Sequence, residues 1–190
     1  MKFLLKRVLY GVFLAFAFPF GLLSGFGRFE SVYRAGAHFC ALLPGLPGDY
    51  MRIAYYRLTL DQCQPGSRIE FGSFFAHPQV RVGRGVYIGS YCVIGRTNIG
   101  ERTQIASAVQ ILSGARQHPR DSEGRVLGAE RGTFETVVVG SDCWIGAGSI
   151  VMAEVGSGST IGAGSVVVYP IPPSCVAIGN PARVIGEIGA

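Results

Sequence analysis

The chain holds three histidines, and of these only His118 lies in a stretch where the sequence departs from a regular repeat. That stretch covers residues 114–136, reads GARQHPRDSEGRVLGAERGTFET, and is polar and charged. An imidazole has a pKa near neutrality, so it can take the proton of a hydroxyl group while that hydroxyl attacks an electrophile. From the residue alone, an ordinary solvent-exposed side chain is an equally good interpretation. His77 precedes a proline and favours a structural role, and His38 falls in an apolar N-terminal region.

A metal site finds little support in the sequence. The histidines show no H-x-x-x-x-H spacing, whereas a zinc site like that of a carbonic anhydrase needs three imidazoles around one ion. The five cysteines are widely scattered and form no C-x-x-C pair. We therefore expect no metal, and reduced thiols as in a cytosolic protein.

A six-residue repeat flanks the insertion on both sides. It includes IGSYCV at residues 88–93, IGAGSI at 145–150 and IGAGSV at 161–166, each led by an aliphatic residue. This period fits neither a helix nor simple strand alternation. Three units can complete one triangular coil of short parallel strands, whose inward aliphatic side chains are covered by the next coil. We predict a β-helix, in which Cys92 and Cys143 fill the small fifth position of their units and pack rather than react.

These motifs resemble those of the hexapeptide-repeat acyltransferases. DCWIGAGSIV at 142–151 and IGAGSVV at 161–167 are similar to the acetyl-CoA-binding coils of galactoside, maltose and serine acetyltransferases, and IPPSCVAIGNPARVIG at 171–186 is similar to their closing segment. The resemblance covers roughly residues 70–186. It implies an all-β fold, the left-handed parallel β-helix, and the handedness comes from the resemblance alone. It also implies acetyl-CoA as co-substrate and a homotrimer with the donor between neighbouring subunits.

The resemblance assigns the role of general base to His118, in the sequence QHPRD. Arg116 stands near the position where some relatives carry the histidine. A carboxylate from Asp121, Glu123 or Glu135 could orient the ring, and the sequence does not choose among them. No covalent enzyme intermediate is required for such a reaction.

Donor-binding candidates also follow from the match to the family. The alanines would offer backbone groups to the pantetheine arm, the glycines would allow close approach, and the arginine suits the nucleotide phosphates. The tryptophan either lines the cleft or simply packs. These candidates are Trp144, Gly146, Ala147, Ala163, Gly164 and Arg183.

The N-terminal region contains an uncharged run, residues 8–27, which follows Lys2, Lys6 and Arg7. Its length is about that of a membrane-crossing helix, but Pro19 and several glycines weaken a straight span. A secretory signal would need a small-residue cleavage site, and no convincing one follows. A second helical pattern comes next and ends at PGLPG. We predict a helical hairpin embedded in one leaflet, on the cytoplasmic face of the inner membrane. The alternative is a helix that packs on a neighbouring subunit.

The predicted organisation has three parts. Residues 1–48 form the membrane-associated helical hairpin, 49–69 connect, and 70–190 form the β-helix acyltransferase domain with its loop insertion at 114–136. YMRIAYYRLTLDQC and FGSFFAHPQVRVG, within residues 50–83, also resemble a membrane-associated branch found with exopolysaccharide assembly.

The expected function is that of an O-acetyltransferase acting on a sugar hydroxyl of a polysaccharide or lipid-linked glycan precursor. A serine or amine acceptor and a catalytically silent scaffold remain as alternatives. Acyl-carrier-protein-dependent relatives usually carry extra C-terminal helices. Nucleic acid is the least favoured partner, because the net charge of +5 is not concentrated with stacking aromatics.

Overall fold

Three helices precede the repeat region in this computed structural model, which describes residues 2–114 and 117–189. They are α1 (Lys2–Leu23), α2 (Glu30–Ala41) and α3 (Gly45–Thr59). The N-terminal region is helical as expected, but α1 packs mainly against α3 rather than against α2, and its association with a membrane stays a prediction. α3 occupies much of the segment that was expected only to connect the two parts. Within the described residues, none of the helices is both long enough and apolar enough to cross a membrane.

Short strands joined by turns follow, with one long loop between the ninth and tenth strands that includes a 3-10 turn at Ala129–Arg131. In chain order they are β1 (Gln62–Cys63), β2 (Arg68–Ile69), β3 (Phe74–Phe75), β4 (Val80–Val82), β5 (Tyr87–Ile88), β6 (Val93–Ile94), β7 (Thr97–Ile99), β8 (Gln104–Ile105), β9 (Gln110–Ile111), β10 (Val137–Val139), β11 (Trp144–Ile145), β12 (Ile150–Val151), β13 (Thr160–Ile161), β14 (Val166–Val167), β15 (Cys175–Gly179) and β16 (Ala182–Glu187). They form three sheets, ordered β1-β4-β7-β10, β16-β15-β13-β11-β8-β5-β2 and β14-β12-β9-β6-β3.

Strands β1 to β15 pair in parallel with the strand one coil away, which confirms the predicted β-helix, and β16 closes the last coil as an antiparallel partner of β15. Ile88 aligns with Ile105, and Ile145 aligns with both Ile105 and Ile161, so the aliphatic leaders stack along the interior. All four are fully buried. There are about six coils, a pattern consistent with the left-handed hexapeptide-repeat fold. The first coil already begins at β1, inside the segment expected to connect.

The insertion interrupts the chain but not the stack. It leaves the corner after β9 and returns at β10, while β9 pairs with β12 in register, Gln110 to Ile150 and Ile111 to Val151. Because the coils on either side stay in contact, the loop projects from a continuous rigid support.

Arg52 of α3 ties the helices to the open edge of the first coil. Its side chain is fully buried and donates hydrogen bonds to the carbonyl oxygens of Ile69 (2.8 Å), Cys40 (3.1 Å) and Leu43 (2.8 Å). An ion pair with Asp49 at 2.6 Å completes its partners. A buried guanidinium is tolerated only with such partners, so this contact positions α3 specifically.

Aromatic side chains complete this helical cap, which comprises α1, α2 and α3. The hydroxyl of Tyr33 donates to the carbonyl of Phe75 at 3.1 Å, and the buried ring of Tyr56 meets the ring of Phe75 edge-on. α1 lies on the other side of α3, where Phe13 stacks on Tyr50 with 5.6 Å between ring centroids. The helical cap therefore has two layers, with α2 and α3 against the coil and α1 outside α3.

All five cysteines are free and buried, and the packing role predicted for Cys92 and Cys143 is confirmed. The Sγ atom of Cys92 lies 3.1 Å from the carbonyl of Ala106, and that of Cys143 lies 3.2 Å from the carbonyl of Gly156. Burial raises the pKa of both thiols, so they stay protonated and are poor nucleophiles.

Candidate functional site

The inserted loop is organised by its own backbone. The N–H of Leu127 donates to the carbonyl of Pro119 at 2.8 Å, and the N–H of Asp121 donates to the carbonyl of Arg125 at 3.0 Å. The Oδ1 atom of Asp121 accepts the N–H groups of Glu123 and Arg125, each at 2.9 Å. This short hairpin gives the segment a defined shape although its side chains are mostly exposed.

His118 stands at the base of this hairpin with an exposed imidazole. Its Nδ1 atom lies 3.2 Å from the carbonyl oxygen of Leu127. Because a carbonyl oxygen can only accept, Nδ1 carries the proton in this bond, and Nε2 is left with its lone pair. The hairpin therefore selects the tautomer that a general base requires.

The ring is thus oriented by a backbone carbonyl, a group that the sequence does not reveal. Of the three carboxylates considered for this role, Asp121 bonds the hairpin backbone and Glu123 pairs with Arg125 at 2.7 Å. Glu135 lies beside Gly114, and its N–H donates to the carbonyl of Ser113 at 2.9 Å. Arg116, which stands near the position where some relatives carry the histidine, lies outside the described residues.

Gly132 holds the return of the loop against the residue before His118. A Cβ atom at this position would overlap the carbonyl group of Gln117. Only a glycine lets the two backbone segments approach so closely. Sequence reasoning did not single out Gly132, because its requirement comes from a contact between positions fifteen residues apart.

His77 joins three parts of the molecule and has a structural role in these contacts. Its Nδ1 atom pairs with a carboxylate oxygen of Glu30 at the start of α2. The imidazole of His77 lies edge-on to the ring of Phe134, with 5.1 Å between centroids. The guanidinium of Arg96 lies 5.2 Å from the centroid of the Phe134 ring. His38 packs edge-on to Phe74.

The donor-binding candidates on the later coils divide into stacked and open positions. A Cβ on Gly146 would lie 2.5 Å from the backbone nitrogen of Ala163, so coil stacking alone accounts for this glycine. Gly164 has φ +68° and open space around it. Ala147 and Ala163 lie on exposed corners of neighbouring coils, and the carbonyl of Ala147 accepts the N–H of Gly164 at 2.8 Å. These positions form one continuous corner.

Two larger candidates are exposed. Trp144 on β11 is 61% exposed, which favours an open surface over packing in the isolated chain. The guanidinium of Arg183 lies 5.3 Å from the ring centroid of Tyr169 and donates to the carbonyl of Ala182 at 3.1 Å. Arg183 is therefore held near the chain terminus with its charge accessible.

Topology separates the imidazole from the donor corner within one chain. The loop leaves the corner after β9, in the five-stranded sheet, whereas Ala147 and Ala163 follow strands of the seven-stranded sheet. These are different corners of the triangular coil. The structure brings the two alanines together, and it does not bring His118 to them on the same corner.

Comparison with known proteins agrees with this architecture. Residues 136–169 match a family model described as the hexapeptide repeat of succinyl-transferase. Serine acetyltransferase of Escherichia coli (strain K12) is 35% identical over 118 residues, which cover 58% of this chain and 37% of that protein. The serine acetyltransferase of Synechococcus elongatus is 34% identical over 135 residues, covering 70% and 45%. The chain thus spans less than half the length of these curated relatives.

Solved structures extend the likeness over more of the molecule. A galactoside acetyltransferase in complex with coenzyme A superposes with a TM-score of 0.71 at 25% identity, covering 84% of this chain and 82% of that one. A maltose O-acetyltransferase from Clostridium difficile 630 gives 0.68 at 25% identity, covering 84% and 89%.

The repeat, the coil architecture and these comparisons together make the repeat region of this chain similar to the hexapeptide-repeat acyltransferases. Within that class, the similar proteins are serine acetyltransferases by sequence and sugar acetyltransferases by structure.

Proposed function

We propose that the chain is an acetyltransferase that moves the acetyl group of acetyl-CoA to a hydroxyl of a sugar in a polysaccharide or lipid-linked glycan precursor. The observation that carries the proposal is the imidazole of His118, whose Nδ1–H is held by the carbonyl of Leu127 on a loop projecting from the coil. The similarity to a galactoside acetyltransferase solved with coenzyme A supports acetyl-CoA as the donor.

The order of proton transfers follows from the tautomer of His118, in which Nδ1 carries the proton and Nε2 can accept one. The acceptor hydroxyl gives its proton to Nε2 of His118 as its oxygen attacks the thioester carbonyl carbon. The tetrahedral intermediate then collapses, the carbon–sulfur bond breaks, and the imidazolium returns the proton to the departing sulfur, which leaves as the thiol of coenzyme A. Such general base catalysis contributes about 10²–10⁴ in rate. The carbonyl of Leu127 keeps its hydrogen bond throughout and stabilises the imidazolium.

The donor site extends across two subunits in this proposal. Ala147 and Ala163 would face the pantetheine arm, and Arg183 would meet the nucleotide phosphates. The different corners occupied by His118 and the alanines support a homotrimer, because a neighbouring chain can bring its own loop to the donor corner.

Two acceptor classes have specific support. The sugar enzymes are similar to this chain over most of their length, 82% and 89%, which favours a sugar hydroxyl. The identity to serine acetyltransferases, 35% over 118 residues, favours serine as the second candidate. Both alcohols need the same base.

The proposed location is the cytoplasmic face of the inner membrane, with lipid as a partner. Its support is the helical cap, whose outer side chains are apolar and exposed, such as Phe16 at 65% and Leu23 at 69%. A membrane location suits an acceptor that is itself linked to lipid.

The test measures coenzyme A release from acetyl-CoA by the purified full chain, with soluble sugars, glycolipids and serine as acceptors. His118→Ala should lower kcat by about 10²–10⁴, while the matched control His38→Gln should retain activity toward soluble acceptors. Near-full activity of His118→Ala would refute the assigned base. No turnover by the wild-type chain with any acceptor would favour the silent scaffold.

A further inference from the structure

The donor corner, between the seven-stranded and the five-stranded sheet, is one column of stacked turns. In each of the first five coils it holds a residue with positive φ, the left-handed conformation that this tight turn uses. Backbone hydrogen bonds join neighbouring coils along the corner, such as that from the N–H of Tyr91 to the carbonyl of Phe71 at 3.1 Å. The residues with positive φ are Gly72 (77°), Tyr91 (60°), Ala108 (59°), Gly148 (68°) and Gly164 (68°).

Tyr91 interrupts the small residues of this corner. Gly164, Gly148 and Ala108 leave the surface of the corner open. In the next coil, Tyr91 instead presents an aromatic side chain that is 63% exposed. A bulky side chain is rare in the left-handed conformation, because its Cβ atom crowds the neighbouring carbonyl. A large residue kept at such a position points to a use for its side chain.

The ring of Tyr91 is held in place by its neighbours in the first coil. A Cβ atom on Gly72 would lie 2.5 Å from Cδ1 of Tyr91, so the ring lies over this glycine and away from Ala108. The ring of Phe71 meets it edge-on, with 5.7 Å between centroids and 87° between the ring planes. These two rings, here called the aromatic step, end the small-residue part of the corner with an exposed aromatic surface.

The donor candidates give the corner a direction. The order along the seven-stranded sheet runs from β16, which carries Arg183, past the strands before Ala163 and Ala147, and on to β8, β5 and β2. An acetyl-CoA molecule with its phosphates at Arg183 would extend its pantetheine arm along the two alanines. Its thioester then comes to Ala108, and Tyr91 lies one coil further, about 4.8 Å along the axis. The aromatic step is thus next to the place where an acceptor meets the thioester carbon.

The loop of a neighbouring subunit would reach the same level. It leaves the coil after β9, the strand that follows Ala108, and returns at β10. Its last part turns toward the first coils, because the ring of Phe134 contacts that of His77 in the corner after β3. Rotation about a threefold axis parallel to the coils leaves every residue at its own level. In the proposed trimer, the imidazole of His118 therefore comes beside the corner near Ala108 and Tyr91.

We propose that Tyr91, supported by Phe71, binds the acceptor by stacking on the apolar face of a pyranose ring. This inference rests on the proposed acetyl transfer, and it selects a sugar over serine as the acceptor. A pyranose ring presents C–H groups that pack on an aromatic ring, while its hydroxyls stay free to reach the base. Serine has no ring face and gains nothing from this contact.

Steady-state kinetics of the full chain test the contact. Coenzyme A release is measured with methyl glucoside, methyl galactoside, maltose, the glycolipid galactosyl diacylglycerol and L-serine as acceptors. Tyr91→Ala should raise KM for the sugar acceptors about tenfold, while KM for acetyl-CoA and kcat/KM for serine stay within about twofold. Tyr91→Phe keeps the ring, so its KM for the sugars should stay within about threefold of the wild-type value.

Saturation-transfer NMR tests the same contact without turnover. Irradiation of the aromatic protons of the wild-type chain should transfer saturation to the ring C–H protons of a bound glycoside, and Tyr91→Ala should lose most of this transfer. Arg84→Ala is the matched control for both measurements. Arg84 is exposed in the same coil as Tyr91 but on the corner between β4 and β5, so this variant should behave as the wild type does.

Three results overturn the inference. They are equal KM values for the sugars in Tyr91→Ala and the wild type, neither turnover nor saturation transfer with any sugar, or a lower oligomeric mass of Tyr91→Ala with equal losses for all acceptors, which would assign the ring to a subunit contact. Acetyl transfer that persists in any of these cases leaves the role of His118 standing. Saturation transfer that depends on Tyr91, without turnover of any acceptor, would instead refute the proposed function alone.

Discussion

At the scale of single residues, the imidazole of His118 works as a base only while its other nitrogen keeps its proton bonded to Leu127. That bond depends on the backbone shape of the loop, and the loop in turn depends on close approach at Gly132. The activity of His118 therefore depends on backbone contacts of residues that take no part in the reaction themselves.

Gly132→Ala tests this dependence. The added methyl group would push Gln117 away and displace the neighbouring His118, so kcat should fall about tenfold or more, while KM for acetyl-CoA stays within about twofold. Coenzyme A release and a thermal melt measure the two effects.

Gly186→Ala is the matched control for that substitution, since nothing lies within 4 Å of an added Cβ there and it should remain fully active. Unchanged kcat in Gly132→Ala would show that the loop does not position the base.

A pH effect on stability follows from two buried thiols. Burial raises the pKa of Cys40 and of Cys63 to about 12, against about 8.5 in an unfolded chain. Between these values the unfolded chain loses protons that the folded chain keeps, so stability that is complete below pH ~8.5 falls as pH rises. The melting temperature should drop between pH 8.5 and 10, and Cys40→Ala with Cys63→Ala should flatten this slope. An unchanged slope would contradict the assignment.

Residue roles were only partly predictable from the sequence. His118 could be found because it is the one histidine inside a break in the repeat, and Cys92 and Cys143 could be assigned to packing by their position in the repeat. The carbonyl of Leu127 could not, because every residue has one and only the folded hairpin selects it.

At the scale of elements, the helical cap and the coil are joined through one buried cation. Arg52 connects α3, the end of α2 and the edge of β2, where it donates to the carbonyl of Ile69. A helix that covers an open strand edge also prevents edge-to-edge association.

Replacing Arg52 by Met should destabilise the chain by about 3–5 kcal/mol, because it removes the donor to the carbonyls of Ile69, Cys40 and Leu43 and leaves Asp49 to its longer contact with Arg68 at 3.4 Å. Urea unfolding followed by circular dichroism measures this change. Arg34→Met, at an exposed position of α2, should alter stability by no more than about 0.5 kcal/mol. Equal stabilities for the two variants would show that Arg52 does not hold the helical cap.

The six-residue repeat made most of the coils predictable from the sequence, but the first coil could not be predicted. The regular six-residue units begin only at Val82, after β3, so the sequence around β1, β2 and β3 gives little sign of a coil. The structure shows that these strands join the coil by pairing with β4, β5 and β6. α3 was hidden for a similar reason. It contains a proline and two glycines and faces the coil on one side and α1 on the other, so no simple amphipathic period marks it.

At the scale of the whole molecule, the coil carries the helical cap at one end and the loop partway along it. The loop and the donor corner lie on different edges of one chain. A complete site on this account needs a neighbouring subunit.

Light scattering in solution should therefore give a mass near three times the 20.2 kDa of one chain. A monomer with full acetyltransferase activity would rule out a site shared between subunits. Neither the sequence nor a single chain reveals this assembly, because the contact surface is complementary only between copies.

The most direct measurement is a crystal structure of the assembled protein with coenzyme A bound. We expect the sulfur of the coenzyme on one subunit to lie within about 3–5 Å of Nε2 of His118 from a neighbouring subunit, with the Nδ1 bond to Leu127 intact. A coenzyme sulfur bound far from every His118 in the assembly would show that this imidazole is not the base.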